Sequence, residues 1–435
     1  MISRITLALR FQMFKLFEWF VNSIKHVENI APQHYIPENL PNNFKVKYLW
    51  VFASTIGELH AIQTLLNKLL ESEYDALVIL TDHPYYIEAF LKAYPNAIVI
   101  DHGILGSVEN EIDRYLPSLF LLAEIPCVLF DAPCRFSYRV LYGLKKRQVP
   151  VVVVNGWLYN EKPSCRMDAI EYRVFRQDYL TSIDLFLVQN AEVKEQLIRF
   201  GVCSKKVSVT GNTKFDALAD ENPSVPLLLR PIINKIQESN RPCIVAGCIT
   251  NVSEQELVLD AFVEVHNKIP SAFLIIAPRH PENGERMEIL SNLLMSRKLK
   301  SVWRSTLYLN EVKEASVLVL DTIGELRHFY GASTVSYVGL NHNILEPLGY
   351  KKKVIVTGGW EKAYPSYLVY YELCKQGLIT EINDVAGLVE EITSHIIEGE
   401  IKSKTDETLI KKITNLLGAT EENLKHIIKL TKGPE

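Results

Sequence analysis

Short, continuous runs of apolar, largely β-branched residues recur along this chain, and each is followed by a longer stretch with helical spacing. The first half contains KYLWVFAS, ALVILTD, NAIVIDH, LFLLAE, VPVVVVNG, IDLFLVQN and KVSVTGN. After the polar, proline-bearing stretch ALADENPSVP, the pattern begins again with CIVAGC, AFLIIAP, SVLVLD, TVSYVG and KVIVTG. Continuous rather than alternating runs indicate parallel strands buried on both faces. The pattern predicts an α/β protein of two doubly wound domains that face each other across a cleft.

The length of 435 residues suits two domains, because each would be large enough to bury its own core. We expect an amphipathic helix at residues 1–30, a first domain at 31–216, a linker at 217–230 and a second domain at 231–435. The composition, with 48% hydrophobic and 23% charged residues, is that of a folded globular protein. A net charge of -4 gives no electrostatic reason to expect nucleic acid as a partner.

The cysteines are odd in number, scattered and never arranged as a CxxC pair. This arrangement argues against a disulfide framework and against a zinc site. We therefore expect buried thiols that pack as small hydrophobic side chains, in a reducing, cytosolic compartment. The seven residues are Cys127, Cys134, Cys165, Cys203, Cys243, Cys248 and Cys374.

The N-terminal stretch MISRITLALRFQMFKLFEWFVNSIK is rich in Phe, Leu and Ile, but polar residues interrupt it too often for a spanning helix. Its four basic residues and one acidic residue are typical of a helix lying in an anionic membrane interface. The alternative is a helix docked on the protein's own core, whereas Arg10 and Lys15 break the apolar core that a signal peptide needs. The helix would have a polar face of Lys15, Glu18, Asn22 and Lys25 opposite an apolar face of Phe14, Phe17, Phe20, Val21 and Ile24.

The pentapeptide TIGEL occurs twice, at residues 55–59 and 322–326, each time directly after a predicted strand. Both copies match the capping box, in which a Thr caps a helix and a Glu three residues later returns to the cap amide. In both, a Gly (Gly57 or Gly324) precedes the Glu and lets a ligand or another backbone approach closely. Each copy is therefore either a helix cap or part of a ligand site, since a helix N-terminus offers free amides to an anion.

Three further turns carry polar side chains. APRHP places Arg279 and His280 directly after a strand, where the guanidinium could clamp a phosphate or pair with a neighbouring carboxylate. NHNILEP contains Asn343, a good N-cap, and Glu346, whose carboxylate could accept hydrogen bonds from two ribose hydroxyls. VTGNTKFD contains Lys214, which could lie at the domain junction or be solvated.

Together and in this order, these segments resemble the 3-deoxy-D-manno-octulosonic acid (Kdo) transferase family. The similarity runs from about Leu49 to Gly358 through ASTIGELHA, VVVVNGWL, FLVQNAEVKEQLIRFGV, VSVTGNTKFD, IIAPRHPE, LVLDTIGELRHFYGAS and HNILEP. The resemblance implies an inverting glycosyltransferase of GT-B architecture, with two Rossmann-like domains. It would move Kdo or a related ulosonic acid from a CMP-sugar to a lipid A precursor or related glycolipid in lipopolysaccharide biosynthesis. It would need no metal or other cofactor and would lie on the cytoplasmic face of the inner membrane as a peripheral protein.

The resemblance also implies roles for individual residues. By this resemblance, Glu58 would be the catalytic base, which accepts the proton of the acceptor hydroxyl. The candidates for CMP-sugar binding are Lys214, Arg279, His280, Thr322, Ile323, Gly324, Glu325, Asn343 and Glu346. The candidates on the acceptor side are Ser54, Gly57, Glu124 and Asn155. Arg279 and the amides after Thr322 would stabilise charge on the leaving phosphate without a divalent ion.

The chain departs from the family pattern mainly in the acceptor-binding half. AEIPC keeps Glu124 but has Pro126 and Cys127 where the family has an acidic residue and Trp-Pro, and NGWLY has Trp157 and Tyr159 in place of Arg and Ser. The glycine-rich segment before NHN is shorter than in the family. Where the family has a Ser-Thr-His turn at the start of the second domain, this chain has CIT. Two alternatives stay open: a UDP-sugar-dependent enzyme of the same architecture, such as a disaccharide synthase or epimerase, and a member that binds a glycan or nucleotide without catalysis.

Overall fold

The structure, a computed structural model, describes residues 4–25, 33–37, 46–82, 84–101, 108–124, 136–158, 166–219, 224–362, 364, 366–401 and 407–432. It divides into two compact units, Met1–Asp216 with Gly418–Glu435, and Ala217–Leu417. The predicted features at Pro126, Cys127 and Tyr159 lie outside the described residues, as does part of the predicted linker.

The first unit is built on a sheet of eight strands in the order β1-β4-β3-β2-β5-β6-β7-β8, parallel except for β1, which pairs antiparallel to β4. The strands are β1 (Gln33–Tyr35), β2 (Tyr48–Phe52), β3 (Ala76–Thr81), β4 (Ile98–Asp101), β5 (Pro117–Ala123), β6 (Val151–Gly156), β7 (Leu185–Val188) and β8 (Val207–Val209). The helices before the second unit are α1 (Arg4–Lys25), α2 (Ile56–Ala61), α3 (Gln63–Ser72), α4 (Ile87–Ala93), α5 (Val108–Arg114), α6 (Tyr138–Lys146), α7 (Arg166–Ser182) and α8 (Ala191–Arg199). The strand order reverses between β2 and β5, so the carboxyl ends of these two strands form a topological switch point, where ligands of such sheets bind.

The second unit has a parallel sheet of seven strands in the order β11-β12-β10-β9-β13-β14-β15. The strands are β9 (Cys243–Ile249), β10 (Phe273–Pro278), β11 (Ser301–Trp303), β12 (Val317–Val319), β13 (Val335–Val338), β14 (Lys353–Thr357) and β15 (Thr380–Ile382). The helices are α9 (Arg230–Glu238), α10 (Val252–Lys268), α11 (Gly284–Ser296), α12 (Glu311–Glu314), α13 (Leu326–Tyr330), α14 (Leu345–Gly349), α15 (Tyr367–Lys375), α16 (Val385–Ile401) and α17 (Glu407–Thr414). The switch point of this sheet lies between β9 and β13.

The central strands of both sheets are buried along almost their whole length. Val51, Ile79 and Leu121 are fully buried in the first unit, and Val245 and Ile275 are in the second. Helices cover both faces of a parallel sheet, so side chains pointing to either face meet apolar neighbours. This packing explains why the strands are continuous apolar runs in the sequence.

The last helix of the described chain, α18 (Ala419–Lys432), belongs to the first unit, whereas the sequence predicted that all of residues 231–435 form the second domain. Ile427 is buried in the core that contains α3, and the Asn423 amide donates to the hydroxyl of Thr210 at 3.0 Å. The carboxylate of Asp216 accepts from the backbone N–H of Gly418 (2.7 Å) and of Thr420 (2.6 Å). The apolar pattern of α18 was recognisable, but its partner surface lies more than two hundred residues away in the chain.

The N-terminal helix α1 is docked on α6 and α7. Phe11 and Phe14 are buried, and the ring of Phe11 stacks on Tyr142 with 3.7 Å between ring centroids. The Arg10 Nε lies 3.1 Å from both carboxylate oxygens of Asp178, and Glu18 pairs with Arg139. The predicted division into faces is therefore wrong in part, because Phe14 faces the protein and Glu18 is paired rather than solvated. The exposed apolar residues of α1 are Leu9, Met13, Leu16, Trp19 and Phe20.

Neither α1 nor any other described helix combines the length and the apolar character needed to cross a membrane. The described cysteines are free: Cys243 is buried, Cys248 and Cys374 are half-buried, and Cys203 is exposed. The expectation of buried thiols is thus correct for Cys243 and wrong for Cys203, while Cys127, Cys134 and Cys165 lie outside the described residues.

Candidate functional site

The turn after β2 forms the capping box that the first TIGEL copy predicts. The hydroxyl of Thr55 accepts from the backbone N–H of Glu58 at 3.3 Å, and the Glu58 carboxylate accepts from the N–H groups of Ser54 (2.6 Å) and Thr55 (3.3 Å). Gly57 is exposed on the first turn of α2, whereas Ser54 is buried and its hydroxyl has no hydrogen-bond partner in the described part of the chain. The cap role of Glu58 is confirmed.

Glu58 is also placed for chemistry, because its carboxyl group is buried beside a second carboxylate. Its side chain is at the switch point, and only 9% of the residue is exposed. Burial, with a smaller contribution from the charge of Glu124, raises the pKa of Glu58 to about 8, against the opposing hydrogen bonds from Ser54 and Thr55. A carboxyl group with a pKa this close to neutrality can both accept and release a proton near physiological pH.

Glu124 follows β5, on the other side of the same switch point. Its backbone has a φ of 62°, in the left-handed region that few side chains adopt, and its side chain is fully buried. The carboxylate oxygen Oε1 lies 2.6 Å from the Nζ of Lys214 and accepts from the Asn155 amide at 2.9 Å. Burial raises the pKa of Glu124, and Lys214 and Asn155 oppose this shift.

Lys214 is neither solvated nor grouped with the other donor-site candidates. Its side chain is 17% exposed and lies in the first unit, against two acceptor-side candidates. The backbone N–H of Lys214 donates to the side-chain carbonyl of Asn212 at 3.0 Å, which fixes the start of the lysine side chain. A paired ammonium group at the carboxyl edge of the first sheet compensates the buried charge of Glu124.

Asn155 connects this ion pair to the neighbouring strand ends. Its backbone also has positive φ, 54°, and its side-chain carbonyl accepts from the N–H of Thr213 at 3.0 Å. The Gln189 amide donates to the backbone carbonyl of Asn155 at 3.1 Å and accepts from the Asn212 amide at 3.1 Å. Sequence reasoning missed Gln189, Asn212 and Thr213. All three stand in quoted motifs at strand ends, which was the available signal.

The second TIGEL copy, after β12, does not form the predicted capping box. Helix α13 begins only at Leu326, so Glu325 is the N-cap residue itself, and its side chain caps nothing. Its carboxylate instead lies 2.9–3.0 Å from two guanidinium nitrogens of Arg304 and accepts from the Thr322 hydroxyl at 2.7 Å. Gly324 has a φ of 86° and is exposed, as is Ile323. The left-handed glycine delays the helix past the glutamate.

The turns after β9, β10 and β13 converge at the switch point of the second sheet. The Arg279 guanidinium is exposed, and its Nη1 lies 3.2 Å from the Nε2 of His342. The same ring nitrogen lies 2.9 Å from the hydroxyl of Thr250. Burial, together with the charges of Arg279 and His280, lowers the pKa of His342 to about 4, so this imidazole is neutral at pH 7. An exposed guanidinium held beside a neutral imidazole can bind an anion.

Glu346 and Asn343 lie beside this cluster, on the turn into α14. Burial raises the pKa of Glu346, opposed by Arg327 and by the Asn343 amide, which donates to Oε1 at 3.2 Å. Asn343 is not the predicted N-cap, because Ile344 occupies that position. The side-chain carbonyl of Asn343 accepts from the N–H of Leu345 at 3.1 Å. His280 is exposed with a φ of 58°, and its ring lies 2.9 Å from the Glu282 carboxylate.

The predicted site residues therefore form separate groups. Glu58, Glu124, Asn155 and Lys214 lie at the switch point of the first sheet, and Arg279, Asn343 and Glu346 lie at that of the second. Thr322 and Glu325 form a further group with Arg304 after β12. Sequence reasoning gave no role to Thr250, Arg304, Arg327 and His342, of which all but Arg304 stood inside quoted motifs. Within the described ranges, no three His, Cys, Asp or Glu side chains are grouped to hold a metal ion.

Comparisons with known proteins agree with this geometry. A family model described as 3-deoxy-D-manno-octulosonic-acid transferase (kdotransferase) matches residues 127–217. A 3-deoxy-D-manno-octulosonic acid transferase of Haemophilus influenzae is 27% identical over 81% of this chain and 79% of its own length. One from Chlamydia muridarum is 25% identical over 88% of this chain and 85% of its own.

The fold is shared with a solved glycosyltransferase from Rickettsia africae, which superposes with a TM-score of 0.58 at 13% identity and covers 90% of this chain and all of that structure. The predicted class of two Rossmann-like, doubly wound domains is confirmed. The matches in sequence are spread over most of the chain and include both switch points. They show that the chain is similar to 3-deoxy-D-manno-octulosonic acid transferases over most of its length.

Proposed function

We propose that this protein is a glycosyltransferase that moves Kdo or a related ulosonic acid from its CMP-activated form to a lipid A precursor or related glycolipid. The relatives' names supply the sugar and the reaction class. The observation that carries the proposal is the buried carboxyl group of Glu58 at the switch point of the first sheet, with a pKa of about 8. A binding module without catalysis has no need of a carboxyl group held in this state.

In the proposed reaction, Glu58 accepts the proton of an acceptor hydroxyl as its oxygen bonds to the anomeric carbon. The bond from that carbon to the phosphate oxygen breaks on the opposite face, so the configuration inverts and CMP leaves with the bonding electrons. Negative charge builds on the phosphate oxygens, where the exposed Arg279 guanidinium can stabilise it. We therefore propose that no metal ion is needed. The second TIGEL copy is no longer the preferred phosphate site, since its helix is short and Glu325 is neutralised by Arg304.

Incubation with CMP-Kdo and a lipid A precursor, followed by mass analysis, tests the proposal directly. We expect a product heavier by one or more ulosonic acid residues, formed equally well in EDTA. A panel of CMP-sugars and lipid acceptors would define the sugar and the acceptor, and thermal shift with CMP against UDP separates the two nucleotide classes. Stabilisation by UDP alone, or failure of every CMP-ulosonate to bind, would contradict the proposal.

We also propose that α1 holds the enzyme on the cytoplasmic face of the inner membrane. Its exposed apolar residues include Leu16 and Trp19, each 68% exposed, while Arg10 and Glu18 tie the opposite face of the helix to α7 and α6. Ile170 and Val174 of α7 are further exposed apolar residues, and the Arg10 guanidinium donates to the backbone carbonyl of Val174. The docked helix therefore presents apolar side chains without leaving the protein core, as an interfacial helix does.

Replacing both Leu16 and Trp19 by Glu is expected to weaken binding to vesicles containing phosphatidylglycerol at least about tenfold. Burial of each apolar side chain in the membrane would contribute about 1.5–3 kcal/mol to the binding free energy, and the substitutions remove this contribution. Sedimentation with vesicles measures the partition. The matched control is Met295→Glu on α11, another exposed apolar residue, which we expect to bind as the wild type does. Equal binding by the double variant would exclude α1 as the membrane contact.

A further inference from the structure

His342 lies at the second switch point and has no part in the reaction proposed above. Its Nε2 lies 3.2 Å from the Nη1 of Arg279 and 2.9 Å from the hydroxyl of Thr250. These three residues follow three adjacent strands, β13, β10 and β9. His342 therefore joins the turns on both sides of the switch point through one ring nitrogen.

The identity of the partners decides which ring nitrogen carries the proton. A guanidinium N–H can only donate, so the Nε2 of His342 must accept from Arg279. The proton of the neutral ring is then on Nδ1. Burial and, to a smaller extent, the facing guanidinium of Arg279 lower the pKa of His342 to about 4, which agrees with a neutral ring.

The carboxylate of Glu254 fixes the turn that carries His342. This buried carboxylate accepts from the backbone N–H of Thr250 at 2.7 Å and of Leu340 at 2.8 Å, so it cross-links the turns after β9 and β13. Gly339 permits their close approach, since a Cβ there would lie 2.3 Å from the backbone carbonyl oxygen of Cys248. The imidazole is thus presented to Arg279 by a rigid support.

Arg279 has a different environment from an ordinary surface arginine. In the described part of the chain, its guanidinium has a hydrogen bond to His342 and no carboxylate partner. The contact involves Nη1, so Nη2 has no hydrogen-bond partner among the described residues and can donate to an anion. An arginine with so few partners would otherwise sample many rotamers, which costs binding free energy when an anion immobilises it.

We propose that His342 is a positioning residue, whose neutral Nδ1–H tautomer accepts from the Nη1 of Arg279 and holds the guanidinium ready for the phosphate of the donor nucleotide. This inference rests on the proposed function for the identity of the anion. It adds a residue that acts on Arg279 rather than on the substrate. The geometry requires only an acceptor atom at the place of Nε2, so a side-chain amide can replace the ring.

The test compares His342→Phe, which removes the acceptor, with His342→Gln, which keeps one. We expect CMP to bind about tenfold more weakly to His342→Phe, on the usual magnitude for a charge-assisted hydrogen bond, and within about threefold of wild type to His342→Gln. Calorimetric titration with CMP measures both, and thermal unfolding checks that each variant folds. His426→Phe on α18 is the matched control and should bind as the wild type does.

A double-mutant cycle separates positioning from a general structural effect. In an Arg279→Ala background, His342→Phe should weaken CMP binding no further, because the residue through which it acts is gone. An additive loss in the double variant, or a His342→Gln variant as weak as His342→Phe, would overturn the proposal.

Nitrogen NMR of histidine-labelled protein gives a readout that needs no nucleotide. We expect the His342 signals, assigned by their loss in His342→Phe, to show an unprotonated Nε2 at pH 7 and to shift in Arg279→Ala. A protonated Nε2 would overturn the proposal whatever the ligand. Titration with inorganic phosphate distinguishes the proposed function from the role of His342. If the protein bound phosphate but not CMP, the proposed function would be refuted and His342 would still position Arg279 for an anion. If it bound neither, both proposals would be refuted.

Discussion

Replacing Glu58 by Gln is expected to lower sugar transfer at least about a hundredfold, on the usual contribution of a general base, while CMP binding stays within about twofold of wild type. The amide cannot accept the proton of the acceptor hydroxyl. It can still accept hydrogen bonds from the N–H groups of Ser54 and Thr55, so the helix cap and the fold should survive. Single-turnover transfer and CMP titration measure the two quantities separately.

Thr55→Ala is the matched control, because it removes the cap hydroxyl and leaves the carboxyl group. We expect it to lower the free energy of unfolding by about 1 kcal/mol and transfer by less than about tenfold. If Glu58→Gln turned over as fast as the wild type, Glu58 would be a helix cap and nothing more.

The pH dependence of transfer follows from the raised pKa of Glu58. Only the carboxylate can act as a base, so the rate should rise with pH and level off above about 8. The unfolded chain loses this proton near the ordinary glutamate pKa of 4.5, whereas the folded protein keeps it to about 8. The unfolded state therefore binds fewer protons between these values, and the free energy of unfolding falls as pH rises through that window. In Glu58→Gln this contribution to the fall should be absent.

Replacing Lys214 by Met is expected to lower the free energy of unfolding of the first unit by about 3–5 kcal/mol, since it leaves the buried carboxylate of Glu124 without its cation. Lys214 and Glu124 have side chains only 17% and 2% exposed, so water cannot take the place of the missing ammonium group. Chemical denaturation measures the change. The matched control is Lys300→Met, whose partner Glu314 is exposed, and which should unfold as the wild type does.

The double variant Glu124→Gln with Lys214→Met should recover most of the lost free energy of unfolding, because a neutral amide in place of the carboxylate needs no cation. The single variant has a definite pH signature as well. Without Lys214, the folded-state pKa of Glu124 rises further above its unfolded value, so the stability deficit should grow as pH rises above about 4.5 and shrink toward acid pH. A deficit independent of pH, or no recovery in the double variant, would mean that the pair does not carry the stability assigned to it.

Local sequence was sufficient to predict twelve of the fifteen described strands, their parallel arrangement and the first capping box, but not the short strands β1, β11 and β15. These features depend on neighbours within a few residues of each other, such as Thr55 and Glu58. The second TIGEL copy has the same five letters, but its glutamate is captured by Arg304, twenty-one residues earlier in the chain, and its glycine takes a left-handed conformation. The same local pattern thus has two structures, and the tertiary partner decides between them.

The long-range partners of the candidate site could not be predicted in this way. Lys214 reaches Glu124 across the ends of four adjacent strands, and His342 reaches an arginine sixty-three residues away. The resemblance to a known family named Arg279 and Glu124 but gave no partner for either. Pairings of this kind depend on strand order, which a linear pattern of apolar runs does not contain.

The position of α18 has a consequence for how the protein is made. The core of the first unit includes Ile427, whereas every residue of the second unit lies between Ala217 and Leu417. During translation the second unit is therefore complete before the first, although domains usually fold in their order along the chain. Until α18 emerges from the ribosome, the surface of α3 that it covers stays open, and a chaperone that shields apolar surface would find its target there.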